Sequence, residues 1–222
     1  MIDFVDARRT MVDGQLRPLD VTNPELLAAM QDLPRERFVP ADKAAIAYVD
    51  RDIVVLESAG RAVRSMLKPV VLARLIQAAQ VTGTDRVLVV GCATGYSAAV
   101  LSRLAGEVVA LEEDTTLARK AGDALDGIKA RNMTVVTGPL AAGWPASAPY
   151  DVIVVDGAMN IAPEALLRQL SEGGRLVGIL GSGRAGNGML YRVDHGEVSA
   201  TPVFNAAAPA LPGFEQHSSF VF

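Results

Sequence analysis

The chain is poor in the residues that build disulfides and metal centres. Its 222 residues contain one cysteine, Cys92, and two histidines, His195 and His217. A single thiol excludes an intramolecular disulfide and suits a reducing compartment. Together with two histidines it cannot complete a conventional zinc site, so no metal is expected. An excess of positive charge is also missing. Lys and Arg number 21 against 25 Asp and Glu, a formal net charge of −4. Arg35 with Arg37, and Arg61 with Arg64, are too sparse for the basic footprint of a nucleic-acid surface. No apolar run reaches the length of a membrane span. The start, Met1-Ile2-Asp3-Phe4, lacks the charged region and apolar run of a signal peptide. The expectation is a cytoplasmic protein with neither nucleic acid nor membrane as partner.

What the chain does have is apolar residues, half of the total, enough for a large core. The length suits a single domain, residues 1–222. Residues 1–80 read as a helical and loop extension. Phe4 to Gln15 is amphipathic. Thr22-Asn23-Pro24-Glu25 opens a second helix with a cap, a first-position proline and an acid in the first turn. Asp52 to Leu56 reads as a short strand, Gly60 to Pro69 as loop and Val70 to Gln80 as helix. Residues 81–222 alternate. Strands over Arg86–Val90, Glu107–Glu112, Met133–Thr137, Asp151–Val155 and Arg175–Leu180 are interleaved with helices over Ser97–Leu104, Thr115–Leu125 and Pro163–Leu170. This rhythm predicts a parallel sheet with helices on both faces. The unbroken runs Val87-Leu88-Val89-Val90 and Val152-Ile153-Val154-Val155 suit strands buried on both sides. After the glycine-rich segment Gly181–Gly188, stretches over Met189–Asp194 and Glu197–Phe204 flank Asp194-His195-Gly196. They predict a closing antiparallel hairpin.

The most informative stretch is Arg86 to Leu101. A strand ends at Gly91, a turn Gly91-Cys92-Ala93-Thr94-Gly95 follows, and a helix pattern begins. Backbone N–H groups and the positive end of a helix dipole then face a ligand. Seventeen residues past Gly95, a second strand ends at Glu112, where a carboxylate is placed to bind ribose hydroxyls. The turn is shorter than a dinucleotide-binding loop and has no P-loop Lys-Ser/Thr pair, so it suits a nucleoside cofactor without pyrophosphate. A plainer reading is a turn that merely packs a helix on a sheet.

Several segments together resemble the protein-L-isoaspartate (D-aspartate) O-methyltransferases. They are Met11-Val12-x-x-Gln15-Leu16, Leu33-Pro34-Arg35-Glu36-x-Phe38-Val39-Pro40, Ala47-Tyr48-x-Asp50 and Gly95-Tyr96-Ser97-Ala98-Ala99-Val100-Leu101. Ala148-Pro149-Tyr150-Asp151 and Pro163 to Val177 continue the series, so that the likeness runs from Met11 to Leu180. The resemblance implies a Rossmann-like α/β methyltransferase fold: a mostly parallel, doubly wound sheet with antiparallel C-terminal strands behind an N-terminal helical extension. It implies S-adenosylmethionine as cofactor and an isoaspartyl carboxylate in a protein or peptide as methyl acceptor. By resemblance, Gly91, Cys92, Ala93, Thr94, Gly95, Tyr96 and Ser97 hold the cofactor and Glu112, with Glu113 beside it, its ribose. Gly138, Pro139 and Leu140 flank adenine. Ser65 keeps one hydroxyl near the acceptor, and Arg64, Met66, Leu67 and Lys68 line the acceptor side. A sulfonium donor carries its own activation and a carboxylate is already nucleophilic, so the protein's task is alignment and exclusion of water.

The chain departs from that pattern at defined places. Where the family carries Gln-Thr-Ile-Ser-Gln-Pro, this chain reads Arg64-Ser65-Met66-Leu67-Lys68-Pro69. Val89 replaces an acid before the glycine turn, Ala93 its middle glycine, and Pro139 an acid near adenine. Each lost polar anchor removes about 0.5–1.5 kcal/mol of ligand binding. A methyltransferase acting on another acceptor, small molecules included, and a non-catalytic binding or regulatory domain are therefore the competing readings; a nicotinamide enzyme is a remote third. Asp156, closing the fourth strand at the edge where ligands bind, is a candidate for orienting the acceptor or cofactor, or simply a turn acid. Arg64 and Lys68 could hold an anionic acceptor or belong to an exposed loop. Cys92 at a helix start favours a thiolate, or is a small residue filling a turn. Arg35, Glu36 and Arg37 read as a solvated turn, Trp144 as a core plug, and His195 and His217 as turn and surface residues.

Overall fold

Strands and helices alternate from Arg86 onward because the apolar runs there are too short for helices and are separated by capped amphipathic segments. The computed structural model describes residues 2–181 and 186–215, with the backbone alone at Arg61 and Ala62. Residues 182–185 of the glycine-rich segment, and His217, lie outside the described residues. Strand β3 (Arg86–Val90) pairs in parallel with β4 (Glu107–Glu112) on one side and β6 (Tyr150–Met159) on the other. Beyond them lie β5 (Met133–Thr137) and β7 (Leu170–Leu180), also parallel. Two antiparallel strands, β8 (Asn187–Asp194) and β9 (Glu197–Asn205), complete the order β5-β4-β3-β6-β7-β8-β9. Alternation splits β3 between two cores: Val87 and Val89 pack in one, Leu88 and Val90 in the other, as a pleated strand buried on both faces requires.

Helices α3 (Pro69–Ala79), α4 (Tyr96–Ser102) and α5 (Thr115–Gly127) contribute buried residues to the first core. The Asp114 carboxylate caps α5, accepting from the Leu117 N–H at 2.9 Å, the usual provision for an unpaired helix-start donor. Before them come α1 (Phe4–Met11) and α2 (Pro24–Asp32), the latter capped by Asn23. The expected single helix to Gln15 instead ends at Met11 and continues as a π turn over Val12–Leu16 and a 3₁₀ turn over Arg17–Leu19. Pro18 stops it, since it cannot donate to the turn before it.

Three expectations need correction. The segment Gly60 to Pro69 is largely not loop: β1 (Ile53–Ser58) and β2 (Arg61–Met66) form an antiparallel hairpin within the N-terminal extension. Ala59 (φ 49°) and Gly60 (φ 72°) turn it with two left-handed residues, the geometry that matches strand twist. Strand β6 runs on past Val155, with a register shift between Val154 and Ala158. The helix expected over Pro163–Leu170 shrinks to α6 (Glu164–Leu167), and Leu170 instead begins β7. Finally, the segment Ala206–Phe214 leaves the sheet and lies along the end of β6. Ala158 donates its N–H to the Pro209 carbonyl, Leu211 to that of Ala158 and Asn160 to that of Phe214, each at 2.9 Å. Leu211 and Phe214 are buried beneath this strap.

Candidate functional site

The glycine turn is shaped as the sequence predicts. Gly91 (φ 81°), Ala93 (φ 50°) and Gly95 (φ 95°) adopt left-handed conformations, which cost a Cβ-bearing residue such as Ala93 strain that glycine escapes. The turn is tied to β4: Gly91 and Cys92 both donate N–H groups to the Leu111 carbonyl, at 2.9 and 3.1 Å. Strand order reverses between β4 and β6 around β3, and open α/β sheets bind ligands at that crevice.

Glu112 stands in this crevice with no exposure to solvent. Its Oε2 accepts from the Ala93 N–H at 2.7 Å. Its Oε1 accepts from the N–H groups of Glu113 and Asp114, at 3.0 and 3.2 Å. A fourth donor is Arg64, whose Nη1 lies 2.9 Å from the same Oε1; its Nη2 donates to the Gly91 carbonyl at 2.8 Å. Arg64 is itself only 3% exposed. It is therefore neither an exposed loop cation nor an open anion binder. It spans from β2 into the ligand face of the glycine turn, and the unexpected strand explains how: β2 points alternate residues inward.

A second filler comes from the strap. A Cβ built on Gly91 would lie 3.1–3.2 Å from the two Leu211 methyl carbons, and one on Gly157 only 2.5 Å from Leu211 Cγ. Leu211 thus lies across two backbones that glycine leaves bare. At the outer end, Trp144 lies against Gly138 in the same way, 3.3 Å from the position of a Cβ, while Leu140 is buried. Outside the crevice, a cavity touches the outer side of the turn at Thr94. It has a volume of about 480 Å³ and opens among Arg37, Phe38, Thr94, Lys120 and Asp123, without Gly91, Glu112 or Asp156.

Asp156 lies 3% exposed in the irregular part of β6. Burial pushes its carboxyl up to about 6, against the opposing pull of the neighbouring Ser97 hydroxyl and the Arg64 and Arg35 cations. Its Oδ1 and the Ser97 Oγ have no hydrogen-bond partner but each other, and the Arg64 Nε has none. Unmet buried polar atoms are uncommon in folded proteins, and these sit at this crevice. Cys92 is fully buried, and desolvation pushes its thiol well above its ordinary value, so the plainer reading, a small turn residue, holds.

The remaining candidates scatter. Ser65 is half-buried on β2 opposite Val54. Met66 and Leu67 pack in the core. Lys68 donates its backbone N–H to Asp52 at 2.9 Å. Tyr96 and Ser97 begin α4, both buried, and Thr94 is held through its hydroxyl by the Phe38 carbonyl. Glu113 is exposed, and the hairpin turn at His195 is as expected. Arg35 corrects the solvated-turn reading outright. It is fully buried, donates to the carbonyls of Ala47 (2.7 Å) and Leu67 (2.6 Å), and stacks 4.6 Å from the Tyr96 ring centroid. Two features escaped sequence reasoning. Arg64 was on the wrong element, and Leu211 carries no local signal except its place in Ala208-Pro209-Ala210-Leu211-Pro212-Gly213-Phe214.

The family described as protein-L-isoaspartate(D-aspartate) O-methyltransferase (PCMT) matches the chain over residues 9–205. A protein-L-isoaspartate O-methyltransferase 1 of Rhodopseudomonas palustris is 39% identical over 78% of this chain and 69% of its own length. A protein-L-isoaspartate O-methyltransferase 2 of Shewanella sediminis is 36% identical over 81% and 71%. Among solved structures, a protein-L-isoaspartate O-methyltransferase superposes with a TM-score of 0.80 at 24% identity, covering 93% of this chain and 66% of that one. A Plasmodium falciparum protein described as a putative member, solved with S-adenosyl-L-homocysteine, gives 0.74 at 16% identity, covering 92% and 97%. At these identities the two structures establish the shared fold.

Proposed function

The chain belongs to the protein-L-isoaspartate(D-aspartate) O-methyltransferase family, and from that premise we propose that it is an S-adenosylmethionine-dependent methyltransferase acting on isoaspartyl carboxylates of damaged proteins or peptides. S-adenosylmethionine is the donor that family uses. The observation that carries the reading is Glu112, a carboxylate with zero exposure at the end of β4, in direct contact with the glycine turn. Four donors meet it, and an acid at this end of the strand is what serves a ribose in nucleoside-binding sheets. In this reading Gly91 to Ser97 and Glu112 form the donor side, Gly138 to Leu140 its outer rim, and Asp156 stands toward the acceptor, while Ser65 alternates away from Arg64 on β2.

The donor set fits the cofactor, but part of it is already engaged. Arg64 takes the Glu112 carboxylate, and Leu211 covers Gly91 and Gly157. With the ribose-binding acid already engaged by Arg64, no step of a reaction is derived through the cofactor. The test is to incubate the purified protein with S-adenosylmethionine and an isoaspartyl peptide and to measure the methyl ester. Ester above the level given by the ordinary aspartyl peptide is the expected result. Its absence, with the cofactor bound, would move the search to another acceptor.

A further inference from the structure

Nothing in a nucleoside site calls for an arginine on its ribose-binding acid or a leucine across its glycines. Both are nevertheless packed where the ligand face of the turn lies. We propose that Arg64 and the strap Ala206–Phe214 are intramolecular competitors of the S-adenosyl cofactor, which enters only when both withdraw. The proposal rests on the methyltransferase reading above.

The geometry shows the competition directly. One guanidinium satisfies both acceptors that line the cleft, the Glu112 carboxylate at 2.9 Å and the Gly91 carbonyl at 2.8 Å. One side chain, Leu211, approaches the bare backbones of Gly91, just past β3, and Gly157 on β6, and so lies across the crevice between the two strands. The strap is held by backbone hydrogen bonds from Ala206 to Gly186, between Ala158 and both Pro209 and Leu211, and from Asn160 to Phe214, and Gly213 (φ 80°) follows Pro212 inside it. Withdrawing it breaks these bonds and exposes Leu211 and Phe214, now buried, but leaves the strand pairing of the sheet untouched. The filler is also incomplete. It leaves Arg64 Nε unpaired in the interior and Ser97 Oγ and Asp156 Oδ1 with no partner but each other. A segment belonging permanently to the core would be expected to pair them, whereas a polar ligand entering the crevice can meet them.

A closed majority state lowers apparent affinity by the fraction of molecules that are open, and variants favouring the open state recover it. The experiment is calorimetric titration with S-adenosylhomocysteine of the full chain, of Arg64→Gln, of Leu211→Ala and of the double variant. Arg64→Gln leaves Glu112 its three backbone N–H donors, and Leu211→Ala, which touches no charge, carries the test if Arg64→Gln does not fold. Each single variant is expected to bind about tenfold tighter than the unaltered chain, and the double variant tighter still. Hydrogen exchange supplies a second readout. The amides of Ala158, Asn160 and Leu211 are protected in the free protein and lose protection when S-adenosylhomocysteine is added. Equal affinity in all four proteins, with those amides unchanged, would overturn the competition and leave the methyltransferase reading standing. No binding in any of them would overturn both.

Discussion

The two ends of strand β4 carry the same chemistry at opposite burial. At its amino end Glu107 pairs with Arg86 at 2.9 Å, with the two side chains 50% and 40% exposed. At its carboxyl end Glu112 pairs with Arg64 at the same distance, with the side chains 0% and 2% exposed. Water screens the first pair and excuses either partner's loss. The second exists only because four donors converge on one carboxylate, and losing either charge strands the other in the interior. Equal geometry is therefore no guide to equal energy. The carboxyl edge of a parallel sheet is where the fold can hold an unusual charge, because loop N–H groups gather there.

The largest expected effect comes from breaking the buried end. Glu112→Ala should destabilise the protein by about 3–5 kcal/mol in urea unfolding, since Arg64 is left buried and unpaired. Replacing Arg64 together with Glu112 by apolar residues should recover much of that loss; a strictly additive double variant would refute the coupling.

Asp156 comes next, with the opposite sign. A carboxyl raised from an ordinary 3.8 to about 6 in the folded state is fully compatible with folding below pH 3.8, and its contribution is lost as pH rises through 6. Asp156→Asn should therefore stabilise the protein at pH 7.5, by up to roughly 3 kcal/mol. It should leave stability at pH 3.5 nearly unchanged. Melting curves at the two pH values decide it, and an equal shift at both would sink the assignment.

Gly157→Ala should cost about 2 kcal/mol, because its new Cβ would lie 2.5 Å from Leu211 Cγ and a packed interior resists added volume. Leu211→Ala should relieve that cost in a double-mutant cycle. The smallest effect belongs to the exposed end of β4. Glu107→Gln should change stability by less than about 1 kcal/mol, and raising the salt concentration should erase the difference.

The legible parts of this protein were those with a local cause. Strands β3, β4 and β5 have their expected bounds because each is an apolar run between punctuation, and a doubly covered strand needs nothing else. The helix start at Asn23 was readable from its capping residue, whereas Asp114, which the structure makes a cap, reads in sequence as a first-turn acid. The hairpin β1–β2 was not readable, because Ser58-Ala59-Gly60-Arg61 lacks the Asn-Gly signature of such a turn. Arg35 looked solvated, since its carbonyl partners Ala47 and Leu67 lie 12 and 32 residues away. Glu112 was found from its spacing after the glycine turn, while its partner Arg64, 48 residues earlier, was assigned to the acceptor side.

From its residue order alone, then, this chain determined the parallel sheet, the glycine turn, the acid at the end of β4 and the family. All of these follow from periodicity, capping and spacing over a few tens of residues. Tertiary structure alone decided what lies in the crevice. Arg64 enters from a strand that precedes the sheet, and Leu211 from a strap that follows it. Nothing local relates two such segments; they meet because both burying Leu211 and pairing a desolvated carboxylate lower the free energy only once the sheet between them has formed.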